Sequence, residues 1–133
     1  MSIESQFSSY KKYREKRLFH RYIHNEMIEP LLSNLSNIFE VEVVGESVLS
    51  KSIHTVKIGS GKKRILLWSQ MHGNESTTTK AIFDIFNAFQ EANNEFSSIL
   101  NACTFLFVPI LNPDGAEAYT RLNANQFDLN RDA

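Results

Sequence analysis

A change of hydrophobic period near the middle of the chain restricts its fold more than any other feature. Ile65-Leu66-Leu67-Trp68 runs without a polar break, the pattern of a central strand covered on both faces. From Asn74 to Ala92 the apolar positions move to helical spacing, with Thr78, Ile82, Ile85, Phe86 and Phe89 on one side. Asn93-Asn94 is expected to end that helix. Residues 104–110 (TFLFVPI) then return to a continuous apolar run. Strand, helix, strand is a βαβ unit, whose two strands should be parallel and adjacent or nearly so.

Two shorter strands are expected upstream. Residues 39–44 alternate apolar and acidic side chains, as a half-buried strand does, and residues 53–58 (IHTVKI) read as a second strand. Gly59-Ser60-Gly61 supplies the backbone freedom for a hairpin into the third. The order β-β-β-α-β implies an α/β fold with a mixed sheet and helices on its faces. Residues 1–38 form a separate helical segment, and residues 39–133 carry the sheet. In the first, Ile23, Met27, Leu31, Leu35 and Ile38 make a helical stripe that Pro30 is expected to kink or split. Six basic residues between Lys11 and Arg21, against Glu15 alone, read as the solvated face of a helix with aromatics behind it.

Composition removes several function classes. A net charge of −1 and a pI near 6.4 argue against generalised attraction to nucleic acid or anionic membrane. The apolar runs are far too short for a membrane span. A single cysteine, Cys103, excludes an internal disulfide and reads as a small buried residue opening a strand. No signal-peptide-like stretch occupies residues 1–12, so a cytoplasmic location is expected.

His72-Gly73-Asn74-Glu75 follows the apolar strand and opens the helix. The i, i+3 spacing puts an imidazole and a carboxylate on one side of the first turn, and Gly73 lets the backbone bend between them. Both groups ligate zinc well. A helix-dipole glutamate beside a surface histidine has the same spacing. Asn112-Pro113-Asp114-Gly115 is a turn signature. Arg121, Asn130 and Arg131 suit an anionic substrate, because guanidinium grips carboxylate in a fork, or are simply surface groups.

Taken together and in order, His72-Gly-Asn-Glu75, Asn112-Pro-Asp-Gly115, Arg121-Leu-Asn123 and Asp128-Leu-Asn130-Arg131 resemble the N-terminal half of the M14 zinc carboxypeptidase family. The run Trp68-Ser-Gln-Met-His-Gly-Asn-Glu75 resembles its bacterial branch. The resemblance covers residues 39–133 and implies part of an α/β/α sandwich around a mixed sheet. It implies one zinc ion, with His72 and Glu75 as ligands. Asp128 would orient the ligand histidine, and Arg121 would polarise the scissile carbonyl. Asn130 and Arg131 would grip the C-terminal carboxylate of a peptide or peptide-like substrate. The family also uses a third histidine ligand and a general-base glutamate further downstream, and neither appears here. His20 and His24, four apart on an expected helix, and His54, on an expected strand, are not expected to substitute. The expectation is therefore a fragment of a longer enzyme, weak in zinc binding and nearly inactive alone, that self-associates through an exposed sheet edge. Two other functions fit the same residues: deacylation of an acylated amino acid, as in succinylglutamate desuccinylase or aspartoacylase, and non-catalytic carboxylate binding.

Overall fold

The computed structural model describes residues 3–131. The ends of the two expected segments, residues 1–2 and 132–133, lie outside the described residues. Helix α1 (Ile3–Tyr13) and helix α2 (Asn25–Ser33) precede strands β1 (Glu40–Glu46), β2 (Ser52–Ile58) and β3 (Lys63–Trp68). Helix α3 (Thr77–Glu91), helix α4 (Asn93–Ala102), strand β4 (Cys103–Val108) and helix α5 (Pro113–Ala118) follow. The strands form one sheet in the order β1-β2-β4-β3. β3 and β4 run parallel, and the other two pairings are antiparallel. The α/β class, the mixed sheet and the adjacent parallel pair are as expected.

The register sorts the strands into two faces. Val56, Phe107 and Leu67 stand in line across the sheet, as do Ile58, Phe105 and Ile65. Helix α3 lays Ile82, Phe83, Phe86 and Phe89 on this face. The ring of Phe86 meets those of Phe107, Phe39 and Phe83 edge-on at 5.1, 5.3 and 5.3 Å, the geometry aromatic rings prefer. Leu18, Ile23, Ile28, Leu31 and Leu32 of the N-terminal segment enter the same core. On the opposite face Lys57, Leu106 and Leu66 stand in register and exposed.

Several expectations change here. β3 is an edge strand rather than a central one, with Leu66 55% and Trp68 47% exposed. Its apolar run looked central, but its outer face has no cover among the described residues. β1 is exposed along its whole length rather than half-buried, because it forms the other edge. No hairpin joins β2 to β3, since β4 lies between them. Gly61 serves close passage instead: a β-carbon there would lie 1.8 Å from the carbonyl carbon of Ala102, the last residue of α4. Asn93-Asn94 does not end the helical region; α4 begins at once, with Phe96 against Phe89. Pro30 neither splits α2 nor ends it.

The basic stretch is not one helix face. α1 stops at Tyr13, and residues 14–24 are irregular. Glu15 is buried in this stretch and bonded to Arg17 by Nε and Nη2, both at 2.8 Å. Its own N–H donates to Asp84 Oδ1 on α3 at 2.6 Å. The bond to Asp84 ties the N-terminal segment to the helix that covers the sheet.

Candidate active site

β3 and β4 are parallel, so both chains leave the sheet at the same end, where open α/β sheets place their sites. Their pairing continues past the strands. Ser69 N–H donates to Val108 O at 3.0 Å, Leu111 N–H to Ser69 O at 2.9 Å, and Asn112 N–H to Gln70 O at 3.0 Å. This zipped pair of loops carries the motif residues.

His72 is 7% exposed. Its Nδ1 lies 3.2 Å from Glu75 Oε1 and its Nε2 3.0 Å from Asp128 Oδ1. The second Asp128 oxygen accepts from Arg121 Nε at 3.0 Å, and Arg121 Nη1 reaches Glu75 Oε1 at 3.4 Å. Glu75, Arg121 and Asp128 thus meet around one imidazole. The Asp128 carboxyl is pushed down to about 2, first by the Asn130 backbone N–H at 2.9 Å and then by bonds from His72 and Arg121. A carboxylate fixed on Nε2 favours the tautomer with its proton there, which leaves the Nδ1 lone pair directed to the side where Glu75 sits. One nitrogen and one carboxylate converging in this way match the donor chemistry of zinc. Among the described residues no group of three or more His, Cys, Asp or Glu side chains is arranged to hold a metal ion.

The side chains of Asn130 and Arg131 stand apart from this cluster. Both are exposed, and Arg131 Nη1 donates to the Asn130 carbonyl at 3.1 Å. Among the described residues neither side chain bonds His72, Glu75 or Arg121. His20 and His24 do not share a helix. The ring of His20 lies 3.9 Å from that of Phe19, and His24 immediately precedes α2. His54 Nε2 lies 3.3 Å from Glu29 Oε1. Cys103 is buried, as expected.

Local readings also change. Asn112-Pro-Asp-Gly115 is a helix start rather than a turn: Asn112 Oδ1 caps α5 by accepting from Gly115 N–H at 2.9 Å, with Pro113 in the first turn. Gly73 is needed for contact rather than for bending. A β-carbon there would lie 1.9 Å from the carbonyl carbon of Gly115.

The residues that hold this cluster in place carry no local sequence signature. Gln70 is buried in a left-handed conformation, with φ of 44°. Its Nε2 donates to Gly73 O at 2.8 Å and Ile23 O at 3.0 Å, while its Oε1 accepts from the Thr79 hydroxyl at 2.6 Å. Gln70 falls within the quoted motif, but only its buried partners reveal the role. A cavity of about 730 Å³ opens beside His72 and Glu75, bordered also by Trp68, Arg21, Lys80 and Tyr119.

Residues 24–132 match the family model described as zinc carboxypeptidase. A γ-D-glutamyl-L-diamino acid endopeptidase 1 of Lysinibacillus sphaericus is 35% identical over 80 residues, covering 54% of this chain and 20% of that protein. A candidate carboxypeptidase A from Shewanella denitrificans superposes with a TM-score of 0.72 and 25% identity, over 80% of this chain and 30% of that one. A metallo-carboxypeptidase from Pseudomonas aeruginosa, solved with (2-guanidinoethylmercapto)succinic acid, shares the fold. Its TM-score is 0.67 at 23% identity, again over 80% of this chain and 30% of that one. The chain therefore spans under a third of the length of each of these relatives.

Proposed function

The chain belongs to the zinc carboxypeptidase family, and from that membership we propose that it contributes to a zinc-dependent hydrolase of peptide or peptide-like amide bonds beside a free carboxylate. One observation carries the reading: His72 is held between Glu75 on one ring nitrogen and Asp128 on the other. His72 Nδ1 and Glu75 are the residues to hold the ion. When bound, zinc supplies the Lewis acidity that makes water a competent nucleophile near neutral pH.

The remaining roles belong to the chain's own groups. Asp128 keeps the proton on Nε2 and the ring in one orientation. Arg121, fixed by Asp128, presents a guanidinium beside Glu75, where it can stabilise the oxyanion of an attacked carbonyl. Asn130 and Arg131 are exposed and free to grip a substrate carboxylate in a fork. The curated relative is by name a peptidase, which favours a peptide over an acylated amino acid. The deacylase and non-catalytic readings draw no support from the relatives reported above.

Among the described residues His72 and Glu75 offer a zinc ion two ligands, where a catalytic site ordinarily supplies three and a water. Calorimetric titration should show one zinc per chain, bound more weakly than about 1 μM. His72→Ala should abolish the signal, and Asp128→Asn should weaken it by about 10–100-fold. Binding that survives His72→Ala unchanged would remove the proposed centre.

A further inference from the structure

We propose that Arg21 and Lys80 form an anion subsite of this cavity that selects substrates with a second carboxylate, on the acyl side of the scissile bond. The inference rests on the reading above and names the substrate class for the same site.

Arg21 comes from outside the part of the chain that matches the family model, which starts at residue 24. Yet residues 21–23 are tied to the cluster itself. Ser76 Oγ donates to Arg21 O at 2.8 Å, and Gln70 Nε2 donates to Ile23 O at 3.0 Å. Both donors are buried, and they flank His72 on either side in the sequence. The placement of Arg21 is therefore coupled to the placement of the metal-ligating pair.

The Arg21 side chain is also held. Its Nε donates to the Tyr119 hydroxyl at 2.6 Å, its guanidinium lies 5.7 Å from the ring centroid, and Tyr22 packs edge-on to that ring at 4.0 Å. Tyr119 has φ of 52°, a left-handed conformation that a bulky side chain adopts only under constraint from its surroundings. The two terminal guanidinium nitrogens have no partner among the described residues. Neither does the ammonium of half-buried Lys80, one helical turn beyond Ser76.

Within the cavity lining these two cations face a single acid, Glu75, which already meets His72 and Arg121. The lining does not include Arg121, Asn130 or Arg131, so the cavity is separate from the proposed clamp for the substrate's terminal carboxylate. A peptide held by that clamp with its carbonyl near His72 would place its acyl portion in the cavity. Asn74 also borders the same space. A volume of about 730 Å³ suits a ligand of that size.

The test uses acetyl-Glu-Ala and acetyl-Gln-Ala, nearly the same shape and one charge apart, titrated into the whole chain at low salt. The glutamate probe should bind about tenfold more tightly. Arg21→Gln and Lys80→Gln should each cut that preference to about twofold or less, and Arg21→Lys should restore part of it. Lys80→Gln, on a helix surface, answers for any disturbance that Arg21→Gln causes in residues 19–23. Equal binding of both probes, no measurable binding of either, or a preference untouched by both charge-removing variants would overturn the subsite. Arg131→Ala separates the two ideas. It should weaken both probes alike if the clamp is right; a glutamate preference that persists with no effect of Arg131→Ala would sink the clamp and leave the subsite standing.

Discussion

Position 73 shows how one residue can serve a site without touching any ligand. The loop after β3 passes so close to α5 that a β-carbon on Gly73 would fall 1.9 Å from Gly115 C and 2.2 Å from Ala116 N. Both clashes are with backbone, which cannot rotate away. Gly73→Ala should therefore cost about 1–3 kcal/mol in urea unfolding and displace His72 from Asp128. Unchanged stability would mean that α5 is free to shift. A glycine beside the histidine was legible in the sequence, but its reason was not, since the clashing residue lies far along the chain. The same holds for Asp128, whose pairing with His72 only a resemblance could suggest. His72 and Glu75 were legible because their spacing is local.

At the scale of elements, the switch from apolar run to helical period and back revealed β3, α3 and β4 correctly, since periodicity records which faces are buried. Which strand lies at an edge is a property of the whole sheet, and there the reading of Ile65-Leu66-Leu67-Trp68 as central failed. The short helices α4 and α5 were missed because ten and six residues give too few turns for a period to show. β3 thus offers one unpaired backbone edge beside exposed Leu66 and Trp68, and such edges recruit further strands. Light scattering after size exclusion should show association that grows with concentration. Leu66→Lys should reduce it, because charge on an edge opposes pairing. A wild-type monomer at high concentration would count against this edge as the contact.

Across the whole molecule, the N-terminal segment is fastened to the body through Glu15. The Arg17 guanidinium holds the Glu15 carboxyl below the usual carboxylate range, against the opposing effect of burial. A depressed carboxylate contributes stability above its ordinary value and loses it as pH falls through the folded one. Thermal unfolding should therefore show stability falling on acidification below about pH 4.5. Glu15→Gln should be less stable at neutral pH and flatter over that range. Burial pushes Asp84 up, which slopes the other way, so the difference between wild type and Glu15→Gln isolates the Glu15 contribution. Parallel curves for the two proteins would mean that this ion pair does not stabilise the folded segment.

The strand order has a consequence for how the molecule is made. β4, the last of the described strands, sits between β2 and β3. A nascent chain emerging from the ribosome can close the local β1–β2 pair early, but it has nothing to join that pair to β3 until residues 103–108 appear. Formation of the sheet, and with it the zipped loops that carry His72, therefore waits on a late insertion between pieces already synthesised, the kind of long-range step that slows folding.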